Sequence, residues 1–217
     1  MARGGADEKR VAPDALLFIA PGCAHCPVVL EGLSALVKEG AVGRLEVVNV
    51  AVHPERAAEY GIRSTPWLRL GPFELVGART PAALREWARL AGSGEGWTAY
   101  AREILSAGDL SRAERLAAEA PGFLEALLPL LADTETPMQV RIGVVAVMEG
   151  AAGGDALRGL VPRLIDLAGH DDHRVRADAC HLLGLTGAGE AAATLRACLN
   201  DKHPEVREIA ADALGKR

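Results

Sequence analysis

The chain has 217 residues, of which 49% are apolar and 24% charged, so it is long enough for one or two domains with buried cores. Its 24 basic and 29 acidic residues give a net charge of −5. Because proteins that bind the phosphate backbone carry a basic excess, this balance argues against a nucleic-acid partner.

The first predicted element is the apolar run at residues 15–20. It is far shorter than the roughly 20 residues that span a bilayer. Pro13 and Asp14 interrupt the apolar region before it, and no cleavage site of small residues follows. We therefore predict a buried strand and expect a cytoplasmic protein with no signal peptide and no membrane partner.

Short elements follow in the order expected of a small mixed sheet. Apolar residues at helical spacing predict a helix ending at Gly40, with the sequence Cys23-Ala24-His25-Cys26-Pro27 in its first turn. The later predicted elements are a strand at 45–50, a helix at 54–60, a hairpin formed by 67–70 and 73–77, and a helix from 81 to 90. The resulting order β-α-β-α-β-β-α predicts an α/β domain with helices on both faces of its sheet.

A glycine-rich segment at residues 92–96 divides the chain. We predict one domain at 1–91, a linker at 92–96 and a helical domain at 97–217. In the second domain the dipeptide Val-Arg begins at residues 140, 175 and 206. The steps of 35 and 31 residues match the period of a helical repeat. Three stacked helix pairs, preceded by helices at 97–107 and 110–120, would form a short, curved solenoid.

The motif Cys23-x-x-Cys26 carries the strongest chemical signal in the sequence. A cysteine at a helix N-terminus lies near the positive end of the helix dipole, which stabilises its thiolate. A second cysteine one turn later can displace a mixed disulfide formed on the first. A protonated His25 would lower the pKa of the Cys23 thiol further.

The segment 14–91 resembles the thioredoxin superfamily in a compact, glutaredoxin-like form. A second match is the sequence 60–66, which ends in Thr65-Pro66 and is similar to that family's cis-proline loop. The resemblance implies that Cys23 is the attacking thiolate and Cys26 the resolving thiol of a redox-active disulfide, and that no cofactor is needed. It also implies a cis peptide bond before Pro66 and a backbone at Thr65 that pairs with an extended substrate.

Three features separate the sequence from the best-known members of that superfamily. Gly22 stands where thioredoxins have a tryptophan, and Leu17 stands where they have a buried acid. The glycine-rich or aspartate-containing site that holds glutathione is not evident after Gly77. We therefore expect a protein disulfide, rather than glutathione, as the substrate.

The repeats at about 121–217 resemble HEAT-like repeats, particularly the short type of phycobilisome lyase-like proteins. The resemblance implies an all-α fold that binds a protein client and supplies no chemistry of its own. It also implies that Arg176 and Arg207 pair with acidic residues in the turns, for which the candidates are Asp171, Asp172 and Asp201.

The sequence leaves two alternatives to a thiol-disulfide oxidoreductase. Cys23, His25 and Cys26 could hold a soft metal ion, although a single CxxC without a second pair is a weak zinc signature. The first domain could also be a binding surface within an interaction scaffold. We expect no metal in the second domain, where Cys180 and Cys198 are interpreted as buried free thiols. The remaining histidines there are interpreted as solvated or capping residues, at positions 170, 173, 181 and 203.

Overall fold

The structure is a computed structural model that describes residues 12–93 and 96–215. The chain divides into two compact units between Gly96 and Trp97. Twelve α-helices and four strands occur in the described residues. No helix within these residues is long and apolar enough to cross a membrane.

The first unit is a four-stranded mixed sheet with helices on both faces. Its elements follow the predicted order: β1 (Asp14–Ile19), α1 (Cys26–Lys38), β2 (Arg44–Asn49), α2 (Pro54–Glu59), β3 (Trp67–Leu70), β4 (Phe73–Val76) and α3 (Pro81–Ser93). In space the strands lie in the order β2-β1-β3-β4. Strands β1 and β2 are parallel, whereas β3 runs antiparallel to both β1 and β4.

Both faces of β1 are buried, which explains why its sequence is a continuous apolar run. On one face, Leu16 and Phe18 pack with residues from β2, β3 and the segment around α2. On the other side of the sheet, α1 and α3 pack together. They approach so closely at Gly32 that a Cβ atom there would lie 2.7 Å from the Leu84 side chain. Packing against the sheet and against α3 therefore holds α1 in place.

Two helix ends differ from the sequence prediction by three residues, and the others by at most two. Helix α1 begins at Cys26 rather than including Cys23, because residues 21–25 form turns in which Gly22 has a φ of +75°. Helix α3 continues past Leu90 through Ser93, so two residues of the predicted 92–96 linker are helical. A glycine weakens a helix by about 1 kcal/mol but does not by itself end one. Gly94 and Glu95 lie outside the described residues.

The second unit contains only helices among its described residues. The two helices predicted before the repeats are present as α4 (Trp97–Ser106) and α5 (Leu110–Glu119). A 3₁₀ turn at Glu125–Leu127 leads into the repeats. The remaining helices are α6 (Leu128–Ala132), α7 (Met138–Gly150), α8 (Asp155–Arg158), α9 (Val161–Leu167), α10 (His173–Leu185), α11 (Ala191–Cys198) and α12 (Pro204–Gly215). The three Val-Arg dipeptides lie near the starts of α7, α10 and α12.

The repeat arginines tie turns and helices together. The guanidinium of Arg176 donates two hydrogen bonds of 2.8 Å to the carboxylate of Asp201, and also donates to the carbonyls of residues 170 and 171. These charged hydrogen bonds lower the pKa of Asp201 to about 2. Arg141 donates to the carbonyl of Leu131 and lies 2.6 Å from Asp178.

Arg207 meets one of the predicted acidic residues, Asp201, but through that residue's backbone rather than its carboxylate. Arg207 is exposed and donates to the backbone carbonyl of Asp201 at 2.8 Å, not to an acidic side chain. The carboxylate of Asp201 is already occupied by Arg176.

Candidate active site

Cys23 and Cys26 lie between the end of β1 and the start of α1, and they are joined by a disulfide with Cα atoms 5.5 Å apart. Cys26 is buried, with 5% of its surface exposed, whereas Cys23 is partly exposed. An external thiol or disulfide can therefore reach Cys23 but not Cys26. The soft-metal alternative requires the reduced form, because a disulfide has no thiolate to offer a metal.

The loop that holds Cys23 is fixed at both ends by backbone hydrogen bonds. The N–H of Cys23 donates to Ala20, and the N–H of Cys26 donates to Cys23, each at 3.3 Å. His25 caps α1 with its backbone and makes no capping bond through its side chain, which is exposed. The pair thus lies at the positive end of the α1 dipole. The effect of His25 on the Cys23 thiol stays a prediction.

The Thr65-Pro66 segment lies at the same end of the sheet as the disulfide. In the antiparallel pairing of β1 and β3, Phe18 lies opposite Trp67. The residues that follow β1 therefore lie beside those that precede β3. The peptide bond between Thr65 and Pro66 is cis. This register brings the two sequence motifs, 40 residues apart, to one edge of the first unit.

An aromatic cluster supports the loop before Pro66. The rings of Phe18, Tyr60 and Trp67 lie 5.5–5.6 Å from one another, and Ile62 packs against the same core. The guanidinium of Arg69 lies over the Tyr60 ring, 5.0 Å from its centre. Burial of these rings fixes the loop and leaves Thr65 partly exposed. Among the described residues, no hydrogen bond engages the backbone of Thr65.

No buried charge lies beneath the disulfide. Among residues 12–92, no charged side chain is buried, and Leu17 is fully enclosed. A buried carboxylate that could accept the proton of Cys26 is therefore absent from this part of the chain. The electrostatic feature that the described residues place beside the pair is the positive end of the α1 dipole.

Comparisons with known proteins agree with this arrangement. A family model described as a thioredoxin domain matches residues 16–89, and a second model, described as HEAT repeats, matches residues 124–215. A thioredoxin from Methanocaldococcus jannaschii is 38% identical over 73 residues, covering 32% of this chain and 85% of that protein.

The chain belongs to the thioredoxin family. The predicted fold class is confirmed, because a thioredoxin-like α/β fold is followed by HEAT-like helical repeats. The matched part of the thioredoxin domain includes Cys23, Cys26 and Pro66.

Cys180 and Cys198 are free in the structure and both are buried. Two causes raise the pKa of the Cys180 thiol: burial, which is the larger, and a hydrogen bond with Cys198. We predict that neither thiol of the oxidised, native protein reacts with iodoacetamide, whereas both react in denaturant. Mass spectrometry of the alkylated protein measures this, and a disulfide mapped to Cys180 and Cys198 in native protein would contradict it.

The histidines of the repeats do not all behave as predicted. His170 lies in the turn before α10, where its Nδ1 accepts the N–H of the N-cap residue Asp172 at 3.0 Å. His181 instead pairs with Glu149, at 2.7 Å. The rings of His173 and His203 lie in contact, which their 30-residue separation in the sequence does not by itself predict.

Proposed function

We propose that this protein is a thiol-disulfide oxidoreductase that acts on protein disulfides through Cys23 and Cys26. The observation that carries the proposal is that Cys23 is partly exposed whereas Cys26 is buried, beside a Thr65 backbone that no hydrogen bond engages among the described residues. A partly exposed cysteine bonded to a buried one directs substrate attack to the first of the two. The resemblance to thioredoxins supports the same function.

In the reducing direction the reaction has two exchange steps. The Cys23 thiolate attacks one sulfur of the substrate disulfide, which breaks that bond, forms a mixed disulfide and releases one substrate thiolate. The Cys26 sulfur, after losing its proton, then attacks the Cys23 sulfur and releases the second substrate thiolate. The substrate gains two electrons and two protons, and Cys23 and Cys26 end as a disulfide. An external dithiol is needed to reduce this disulfide for the next cycle.

The backbone of Thr65 supports an extended polypeptide substrate. A strand-like segment could accept the N–H of Thr65 and donate to its carbonyl, in the manner of strand addition at a sheet edge. Val28, two residues after Cys26 on α1, is 49% exposed and offers an apolar contact to a substrate. These features favour a protein chain over a small charged thiol compound.

The HEAT repeats have a binding role in this proposal. Repeats of this kind present extended surfaces to proteins, and no cysteine thiol is exposed among their described residues, since Cys180 and Cys198 are both buried. We propose that this unit binds a protein client and that the thioredoxin domain performs the exchange.

The proposal is tested by dithiothreitol-driven reduction of a disulfide-bonded protein. We expect turnover above the uncatalysed rate with the native chain and with Cys198→Ala, which serves as a matched cysteine control. Turnover should return to background in the double variant Cys23→Ala/Cys26→Ala. Equal rates for the native chain and the double variant would contradict the proposal and favour a scaffold.

We predict that the thioredoxin domain retains its chemistry when separated. The fragment should end at Gly96, because α3 continues through Ser93 and Gly96 lies against Phe73 and Leu90. It should reduce a small aromatic disulfide at a rate within about twofold of the full chain, since HEAT-like stacks supply no reacting group. Absorbance of the released thiol measures the rate. A folded fragment that has lost most of this activity would show that the repeats complete the active site.

A further inference from the structure

Two histidines and a glutamate from successive repeats converge in the second unit. His173 is the first residue of α10, and His203 and Glu205 flank the first residue of α12. The rings of His173 and His203 stack with centroids 3.7 Å apart and planes inclined by 25°. The ligand atoms of the three side chains all lie within 4.8 Å of one another. No other group of three His, Cys, Asp or Glu residues meets this criterion among the described residues.

Direct hydrogen bonds do not explain this cluster. An oxygen of Glu205 lies 3.7 Å from Nε2 of His173 and 3.8 Å from Nδ1 of His203. Both distances exceed the roughly 2.7–3.2 Å of a hydrogen bond. Nδ1 of His203 is buried and has no hydrogen-bond partner among the described residues. A buried ring nitrogen without a partner is a common feature of sites that take up an ion or water.

We propose that His173, His203 and Glu205 bind a divalent transition-metal ion of the Zn²⁺ class. Two ligand atoms about 2.0–2.1 Å from a tetrahedral zinc ion lie roughly 3.4 Å apart. The separations between Glu205 and the two histidines, 3.7 and 3.8 Å, exceed that value by a few tenths of an ångström. The stacked rings direct their lone pairs nearly parallel, so one ring must turn to face an ion held by the other. Imidazole and carboxylate ligands together suit Zn²⁺, Co²⁺ or Ni²⁺, whereas Mg²⁺ and Ca²⁺ prefer oxygen ligands.

Neighbouring residues hold His203 in position. Its backbone N–H donates to Asp201 at 2.8 Å, and both oxygens of Asp201 are held by Arg176. The side chains of His173, His203 and Glu205 are 39%, 37% and 54% exposed, so the cluster lies at the surface, with Nδ1 of His203 on its buried side. Three protein ligands leave a fourth position for water, as in open zinc sites. A bound ion would link the starts of α10 and α12.

The test is titration of the full-length, oxidised protein with Zn²⁺ by calorimetry. Oxidation removes the thiolates of Cys23 and Cys26 as competing ligands. We expect one Zn²⁺ site that loses at least about tenfold in affinity in His173→Gln and in Glu205→Gln, at least the size of effect seen for outer-shell partners. Mg²⁺ should not compete. Zn²⁺ should raise the unfolding temperature of the native chain but not of His173→Gln.

The chain supplies a matched control for this experiment. The tripeptide His-Pro-Glu at 203–205 also occurs at 53–55, at the start of α2. There, His53 lies 3.3 Å from Glu55, and no third ligand joins them within the described residues. His53→Gln should leave Zn²⁺ affinity unchanged. The proposal is overturned if His173→Gln binds Zn²⁺ as tightly as the native chain, or if His53→Gln causes an equal loss.

Discussion

Replacing Cys26 by serine is expected to leave the protein covalently attached to its disulfide substrate. The partly exposed Cys23 can still attack and form the mixed disulfide, but the buried thiol that would displace the substrate is gone. The adduct should accumulate to about one substrate per chain, and turnover should fall by at least about a thousandfold, as is typical when a reacting group is removed. Non-reducing gel electrophoresis followed by mass spectrometry measures the adduct.

The opposite variant provides the control for this trapping experiment. Cys23→Ser should form no adduct, because the remaining Cys26 thiol is buried and cannot reach an external disulfide. Cys180 and Cys198 are present in both variants and are also buried, so any adduct that depends on them would appear equally in both. Equal trapping by Cys23→Ser and Cys26→Ser would show that the assignment of attacking and resolving sulfurs is wrong.

Most of the thioredoxin domain could be predicted because its signals are local. Each signal is contained in a short stretch of sequence: the buried run at 15–20, the Cys23-x-x-Cys26 motif and the Thr65-Pro66 loop. The order of strands and helices then determines that these stretches lie at one end of the sheet. Helix ends were less predictable. The start of α1 depends on the turns around Gly22, and the end of α3 depends on packing that continues past Leu90.

The cluster of His173, His203 and Glu205 could not be predicted in the same way. The sequence shows histidines at similar places in two repeats, each two residues after an aspartate, at Asp171 and Asp201. It does not show how the turns of successive repeats approach each other, and ring stacking at 3.7 Å depends on that approach. The tripeptide His-Pro-Glu occurs twice in the sequence, and at 203–205 it indicates a metal site only when His173 is known to lie beside it.

Arg176→Met is expected to destabilise the HEAT-like unit by about 3–5 kcal/mol, the usual effect of removing one partner from a buried ion pair. The Arg176 side chain is 6% exposed and that of Asp201 is 12% exposed. Methionine fills similar space but leaves the carboxylate and the carbonyls of His170 and Asp171 without their donor. Urea unfolding of the full chain, followed by far-ultraviolet circular dichroism, measures the loss in the transition of the repeats.

The same variant should alter how stability depends on pH. Hydrogen bonding by Arg176 lowers the pKa of Asp201 from 3.8 to about 2 in the folded chain. Its stabilisation, about 2 kcal/mol, is therefore complete above the unfolded pKa and is lost as the pH falls through about 2. The stability gap between the native chain and Arg176→Met should narrow over that range.

Arg207→Met is the control, because this exposed side chain donates one bond to a carbonyl, and its loss should cost under about 1 kcal/mol at any pH. Equal losses in the free energy of unfolding for the two variants, or a stability gap that does not change with pH, would mean that the pairing of Arg176 with Asp201 does not stabilise the repeats.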